Sequence, residues 1–289
     1  MTDLNKAIGR ISFAGLLLAL PAAAPAAERE LPAEGLRQVR IGTRSGDVTV
    51  AGGERDSVLV RWPGAAETAP AIERRGDRLY IGGDPEQGGG GDDALQVELP
   101  AGLAVEVASI SGELEARGLS AGCTLRSISG DIAVRSVSGG LELRAVSGDV
   151  TAAAVSGDLV AKTVSGELRI EGARGGLIEL KSVSGEVELA GELGEVRAVA
   201  HSGRLRLRGS IAAGGGVRAK TFSGDLEVLL PAAADFELDA GTRSGSVAVE
   251  HAIDPALESA TRAEGRVGKG GPELRLKSFS GDIAVRIAD

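Results

Sequence analysis

Residues 136–168 read SVSGGLELRAVSGDVTAAAVSGDLVAKTVSGEL, in which a Ser-Gly pair returns every nine residues. An acidic residue and then an aliphatic residue usually follow the pair, and the pairs continue from Ser111 to Ser223 at spacings of nine or about eighteen residues. A short period sustained over so many units is typical of a solenoid, in which each unit buries its apolar side against its neighbours. The repeat therefore predicts a stack of similar layers.

Two kinds of corner alternate along this repeat. The first carries Ser-Gly at about every eighteenth residue, with serines at positions 111, 129, 147, 165, 184, 202, 223 and, less regularly, 244. The second keeps Ser-Gly only at 138 and 156 and otherwise has plain glycines or Ala-Gly. A coil of about eighteen residues with two short strands and two glycine corners explains both, since a nine-residue coil is too short to close. The predicted fold class is all-β: a parallel β-solenoid of the β-helix or β-roll kind, of either hand.

The strands between the corners alternate in polarity. Ile132 and Val134 take one side of a strand while Asp131 and Arg135 take the other. The chain is 43% hydrophobic but only 2% aromatic, so small aliphatic side chains have to fill the core, as suits thin stacked layers. The 44 glycines supply corners where the chain folds back with positive φ.

Stacked coils lie about 4.8 Å apart, so equivalent positions form columns. One column is acidic and follows the corner glycine: Glu113, Asp131, Asp149, Glu167, Glu186 and Asp225, interrupted by Arg204. A second column is basic and lies three residues before the corner serine: Arg126, Arg144, Lys162, Lys181 and Lys220. We interpret the two columns as a solvated edge whose charges offset each other.

Residues 1–26 are typical of a secretory signal peptide. Lys6 and Arg10 form a basic start, residues 11–20 an apolar run, and 24–26 a cleavage site of small residues, so that the mature chain begins near Ala27. Ten apolar residues are too few to span a bilayer core, which takes about 20. We expect an exported protein, in the periplasm, at the cell surface or secreted, that does not span the membrane after signal cleavage. The net charge of -9 argues against nucleic acid as a partner.

The rest of the chain is predicted to be a short linker, residues 27–34, and a single β-solenoid domain, residues 35–289. The domain divides into an irregular capping part, a regular array and irregular terminal coils, at residues 35–110, 111–230 and 231–289. The last complete repeat, which ends in Ser-Gly-Asp-Ile, would cap the stack. Residues 255–264 follow an Asp-Pro pair, and the pattern leaves both a short helix and an insertion loop open.

Patterns that could carry chemistry are better explained by the repeat. The Ser-Gly-Asp corners resemble a calcium-binding β-roll, but each offers one acid, whereas calcium takes six to eight oxygens. Residues 118–122 match the Gly-x-Ser-x-Gly pattern of hydrolases, but they fall on a corner, and only His201 and His251 could serve as the base. No carboxylate pair departs from the columns as a sugar-cleaving enzyme would need. The sequence thus predicts no catalytic, cofactor-binding or metal site.

Two single residues receive structural interpretations. His201 occupies the position just before the corner serine, so a partly buried packing residue is predicted, as at Ile128, Val146, Val164 and Val183. Cys123 takes the inward position shared by Leu141, Leu159 and Leu177 and is predicted to fill the core. As the only cysteine, it excludes an intramolecular disulfide framework and a cysteine-rich zinc site.

Three stretches together resemble a bacterial family of putative-adhesin domains of unknown function. They are the Ser-Val-Ser-Gly-acid units at 136–187, DFELDAGTRSG at 235–245 and GGPELRLKSFSGDI at 270–283. The similarity covers roughly residues 35–289. The resemblance implies a β-solenoid and an exported or envelope location, and it brings no catalytic residues.

Three functions are compatible with these observations. The leading hypothesis is an exported, non-enzymatic β-solenoid that acts as an adhesin or envelope scaffold and binds an envelope or surface protein or a glycan, without a cofactor. The alternative is a periplasmic accessory domain in envelope stress or signalling. The third is a polysaccharide-active β-helix enzyme.

Overall fold

The structure, a computed structural model, describes residues 26–64, 69–83, 91 and 94–288, so nearly all of the predicted signal peptide lies outside the described residues. None of the described residues belongs to a helix that could span a membrane. The strands are β1 Ala26–Pro32, β2 Gln38–Thr43, β3 Val48–Gly53, β4 Ser57–Pro63, β5 Ile72–Arg75, β6 Arg78–Ile81, β7 Leu95–Pro100, β8 Ala104–Ser111, β9 Leu114–Leu119, β10 Cys123–Ser129, β11 Ile132–Ser138, β12 Leu141–Ser147, β13 Val150–Ser156, β14 Leu159–Ser165, β15 Leu168–Arg174, β16 Leu177–Ser184, β17 Val187–Ser202, β18 Leu205–Ser223, β19 Leu226–Leu230, β20 Phe236–Ser244, β21 Val247–Val249, β22 Ile253–Ser259, β23 Arg262–Val267, β24 Glu273–Ser280 and β25 Ile283–Ile287.

These strands stack into a solenoid with two faces. Face 1 contains the strands that end at the Ser-Gly corner, in the order β6, β2, β8, β10, β12, β14, β16, the second halves of β17 and β18, β24 and β20. Face 2 contains the strands that leave that corner, in the order β7, β3, β9, β11, β13, β15, the first halves of β17 and β18, β19, β25 and β21. All these pairs are parallel. The predicted parallel β-solenoid with two strands per coil is confirmed.

The core lies between the two faces and is built from columns of aliphatic side chains. Leu143 of β12 lies beside Leu125 of β10 and Ala161 of β14, and all three are fully buried. Burying one such leucine contributes about 1.5–3 kcal/mol, which is how several per coil offset the entropy of ordering the chain. Cys123 is buried in the column of Leu141 and Leu159, as predicted.

One member of that column is corrected by the structure. Leu159 pairs with Ile178, so Ile178 rather than Leu177 takes the inward position. The coil that ends at Ser184 is one residue longer than its predecessor, because the Ser-Gly spacing there is 19 instead of 18 residues. The extra residue shifts the register of the strand by one.

The glycines of the Ser-Gly corner form a column of backbones in close contact. Gly166 has a φ of +118°, and a Cβ atom on it would lie 2.2 Å from the carbonyl oxygen of Gly148, a distance that no real Cβ contact shows. The same conflict with the preceding glycine recurs at Gly112, Gly130, Gly148, Gly185, Gly203, Gly224, Gly245 and Gly281. Glycine is therefore required here by the closeness of successive coils as well as by the turn.

Aspartates of the acidic column tie one coil to the next. The Asp131 carboxylate accepts a hydrogen bond from the backbone N–H of Asp149 at 2.8 Å, and the Asp149 carboxylate accepts one from the N–H of Glu167 at 2.8 Å. In the same way, the backbone N–H groups of Glu113, Asp282 and Ser246 donate to the carboxylates of Asp47, Asp225 and Asp282, respectively. Each bond to a carboxylate contributes about 1.5–3 kcal/mol. The acidic column is thus part of the corner structure. The expected pairing of its charges with the basic column is wrong, because Arg126, Arg144 and Lys181 pair with Glu106, Glu142 and Glu179 instead.

Both ends of the stack depart from chain order. Strands β2 and β3 lie between β6–β7 and β8–β9, and the last repeat, β24–β25, lies between β18–β19 and β20–β21. The expectation that the last repeat caps the stack is therefore wrong. Antiparallel strands lie at the ends instead: β5 on β6, β4 on β7 and β23 on β20, with β1 and β22 outside β4 and β23.

Two segments differ from their predicted structure. Residues 27–34 were expected to be a linker, but most of them belong to β1, which pairs along its length with β4 and packs Leu31 against the core. Residues 255–264 form neither a helix nor a loop; they lie in the β22–β23 hairpin. Strand β20 offers β23 an open edge, and buried Ala263 and Val267 fix its orientation.

Candidate functional site

The outer surface of face 1 carries three parallel columns of side chains. In β12, Leu141 and Leu143 are buried, so the strand's alternation sends Arg144 and Val146 outward together with Glu142. The stacking of coils repeats this arrangement along the solenoid. The basic column therefore has an apolar column beside it, on the side nearer the Ser-Gly corner.

The apolar column consists of large side chains that remain exposed. Its seven hydrophobic members are each between 45% and 51% exposed, and a histidine completes it: Ile110, Ile128, Val146, Val164, Val183, His201, Phe222 and Phe279. Seven steps of about 4.8 Å make the column about 34 Å long. A continuous exposed apolar surface of this kind marks an interaction site.

His201 is exposed within this column, so the predicted partly buried packing residue is wrong. Its ring is stacked on Phe222, with centroids 4.9 Å apart, and Phe222 is stacked on Phe279 at the same distance. The Arg243 guanidinium lies 5.3 Å from the centroid of the Phe279 ring. The three stacked rings turn their faces to one another and their edges to solvent. The sequence contained the signal for this exposure. His201 lies two residues after the position of the basic column, and residues two apart lie on the same side of a strand.

The third column lies two residues before the basic column, and its charged members include Glu106, Glu142, Glu179, Arg197, Arg218 and Arg275. Most cations of the basic column are ion-paired with its acids. Examples are Arg126 with Glu106 at 2.9 Å, and Lys181 with Glu179 at 2.6 Å. Lys220 is different, because no ion pair to it occurs within the described ranges. The other cations have an acid two residues earlier in their own strand or on a neighbouring strand. The residue two positions before Lys220 is a second cation, Arg218.

A groove runs between the basic and apolar columns. It encloses about 690 Å³ and crosses five strands of face 1, from Arg144 to Phe222. Four steps of about 4.8 Å give it a length of about 19 Å. Its floor is the strand backbone at Ala145, Thr163, Ser182, Ala200 and Thr221, whose buried side chains point inward. Its walls combine lysine stems with apolar groups: Lys162, Val164, Lys181, Val183, Val199, His201 and Lys220.

The other residues weighed from the sequence are not part of this groove. His251 is buried, with Nε2 3.2 Å from the Pro231 carbonyl oxygen and its ring edge-on to Phe236. The Gly118–Gly122 pattern forms the corner between strands β9 and β10, where the N–H of Ser120 donates to the Ala101 carbonyl. Burial raises the pKa of the Cys123 thiol to about 12. In the described part of the chain, no three His, Cys, Asp or Glu side chains converge as metal ligands would.

Glu113 gives the acidic column a pH dependence. Burial, and then repulsion from Asp47, Glu115 and Asp131, raises the pKa of Glu113 above its ordinary 4.5. A raised folded-state pKa means that ionisation opposes folding, so the stabilising contribution is present below pH 4.5 and is lost as the pH rises. We expect Glu113→Gln to raise the free energy of unfolding at about pH 7 and to give no gain at about pH 4.

Urea denaturation at the two pH values measures this effect. Glu186→Gln is the matched control, because Glu186 lies in the same column but 3.8 Å from Arg204. The control is expected to give no gain at either pH. An equal gain from Glu113→Gln at both pH values would contradict the assignment.

Comparison with known proteins identifies the family. The Toastrack DUF4097 family model matches residues 30–171 and 152–286. The solved structures similar to this chain include a putative cell adhesion protein from Clostridium sporogenes, at 11% identity over 91% of this chain and 99% of that chain, with a TM-score of 0.25. They also include a putative adhesin from Parabacteroides merdae, at 12% identity over 91% and 96%, with a TM-score of 0.32. A third is a putative adhesin from Parabacteroides distasonis, at 9% over 90% and 97%, with a TM-score of 0.36.

No curated protein matches the chain significantly. The two overlapping family matches together extend over almost the whole of the solenoid, from β1 to β25. The resemblance found in the sequence, to β-solenoid domains of unknown function, is confirmed by them. The chain therefore belongs to the Toastrack DUF4097 family.

Proposed function

We propose that the protein is a non-enzymatic binding protein of the cell envelope, of the adhesin or scaffold kind, which holds its partner in the groove on face 1. The observation that carries this proposal is the apolar column, in which seven hydrophobic side chains on seven strands stay about half exposed. Such a surface favours aggregation unless a partner covers it. The repeat does not require it either, since a polar side chain would serve at these outward positions.

The arrangement of charge supports binding rather than catalysis. Acids and bases of both faces engage one another in pairs along the stack, such as Lys277 with Asp239 on face 1 and Arg206 with Glu227 on face 2. Catalytic acids and bases instead converge on one point with pKa values set apart by their surroundings. The export pattern of residues 1–26 supports a location in the envelope or outside the cell.

The test adds one negative charge to each face in turn. Val183→Asp places a carboxylate in the groove, and Thr151→Asp places one on the exposed outer side of face 2. We expect the protein to sediment with envelope fractions of the cells that produce it, and Val183→Asp to weaken this binding about 10-fold or more, because the carboxylate has to be desolvated. Thr151→Asp should bind normally.

Circular dichroism of both variants controls for folding. The proposal is overturned if the unchanged protein does not bind the envelope fractions, or if the two substitutions weaken binding equally. The first result would show that the protein has no partner in the envelope. The second would show that the groove is not the surface that contacts the partner.

A further inference from the structure

We propose that the partner held in the groove is a single-chain anionic amphiphile, with its long apolar chain along the groove and its anionic head at Lys220. This inference rests on the proposed function and names the chemistry of its ligand. Three features of the groove carry it: the shape of its floor and walls, the position of one cation, and the direction in which it crosses the sheet.

The shape suits an apolar chain. The floor is strand backbone at residues such as Ala145 and Ala200, whose side chains point inward, so no side chain projects from it along the length of about 19 Å. Val164 and Val183 line one side, and the aliphatic stems of Lys162 and Lys181 line the other. Lysine stems cover apolar surface while their ammonium groups stay in water. A chain that lies here is therefore contacted by apolar side-chain atoms from both walls.

The position of the free cation suits one anionic head. In the third column, the acids of the earlier coils give way to Arg197, Arg218 and Arg275, so Lys220 lacks the carboxylate that pairs with the other basic residues. In the basic column itself, Val199 takes the place of a cation next to Lys220. At the Phe222 end of the groove, the wall therefore has an apolar residue, Val199, followed on the next strand by the ammonium group of Lys220. A carboxylate or sulfate at Lys220 forms a charge-assisted hydrogen bond.

The direction of the groove argues against a peptide. The groove crosses the strands, and the backbone groups beneath it are bonded to the neighbouring strands of face 1. A peptide lying in it would find no backbone partner for its N–H and C=O groups and would have to desolvate them at a cost of about 1–3 kcal/mol each. An alkyl chain has no such groups.

The surroundings argue against a sugar and a membrane surface. Sugars stack on exposed ring faces, whereas His201 and Phe222 turn their faces to each other. An anionic bilayer would meet the acidic column next to the apolar column and be repelled by it. A single amphiphile in the groove touches only the apolar and basic columns.

The experiment is a titration of the full chain with myristate, kept below its micelle concentration and measured by isothermal titration calorimetry. We expect saturable binding that Lys220→Gln weakens about 10-fold, which corresponds to about 1.4 kcal/mol. Tetradecanol, which has the same chain and no charge, should bind the unchanged protein and the Lys220→Gln variant equally. Val183→Asn is expected to weaken the binding of both ligands.

Two variants serve as matched controls. Ile128→Asn changes the same apolar column outside the groove, and Arg208→Gln removes an exposed cation from face 2. Neither should alter myristate binding. The inference is overturned if myristate does not bind, if Ile128→Asn weakens it as much as Val183→Asn does, or if Lys220→Gln weakens tetradecanol equally. If envelope fractions bind through Val183 while myristate does not bind, the proposed function stands and the amphiphile is excluded.

Discussion

Replacing Gly166 by alanine is expected to lower the free energy of unfolding by about 3–5 kcal/mol. Two effects add up at this position. The φ of +118° is strained for any residue with a side chain, and the new Cβ atom would lie 2.2 Å from the Gly148 carbonyl oxygen. Backbone atoms on both sides belong to the corner column and cannot move without shifting the next coil. Urea denaturation followed by circular dichroism measures the loss.

Two other glycines separate these effects. Gly172→Ala keeps a positive φ of +65° but places the Cβ atom 3.5 Å from the nearest backbone atom, so it should cost only about 1–2 kcal/mol. Ala154 already adopts a φ of +54° one coil earlier. Gly122→Ala meets nothing within 4 Å and should be close to neutral. Equal losses at Gly166 and Gly172 would show that strain at φ, and not contact between coils, sets the cost.

The Glu106→Ala variant is expected to lose about 3 kcal/mol of stability, because it breaks a buried ion pair. The Glu106 side chain is 11% exposed, and the Arg40 side chain, 6% exposed, donates to it through Nε at 2.9 Å. The Arg126 guanidinium donates to the other carboxylate oxygen at 2.9 Å. Removing the carboxylate takes away the negative charge that accepts the Arg40 hydrogen bond inside this buried site.

The matched control is Glu142→Ala in the same column, two coils along. Glu142 pairs with Arg144, whose side chain is about half exposed, so that pair is worth less than about 1 kcal/mol. Thermal unfolding of both variants compares the two sites. If Glu106→Ala lowers the stability no more than Glu142→Ala does, burial does not make the Arg40–Glu106 ion pair more stabilising than an exposed one.

The regular part of the fold could be predicted because it is written into local spacing. Ser-Gly at every eighteenth residue gives the coil, and the alternation of Ile132 and Val134 with charged residues gives the inner and outer sides. The burial of Cys123 follows from the same alternation. These features depend only on neighbours along the chain and one coil away.

The ends of the stack could not be predicted in the same way. The order of the coils in the stack depends on contacts between residues far apart in the sequence. Phe222 contacts Phe279, for example, although stacking in chain order would place coil β20–β21 between them. The hairpin at 255–264 likewise depends on an open edge of β20 that local patterns do not show. The groove is an intermediate case. Its apolar column follows from the alternation of inward and outward residues along each strand. The lack of an ion pair at Lys220 depends instead on which residues of the neighbouring coils lie next to it.

The placement of the last repeat bears on how the chain reaches its native state. Strands β24 and β25 fill a layer between β18–β19 and β20–β21, so the facing edges of those strands stay unpaired until β24 and β25 have been synthesised. Until then, unpaired edges face each other across an empty layer, and pairing over such sequence distances is slow. The same segment of a second molecule fits that layer equally well. The topology therefore favours strand exchange between molecules whenever β24 and β25 pair late.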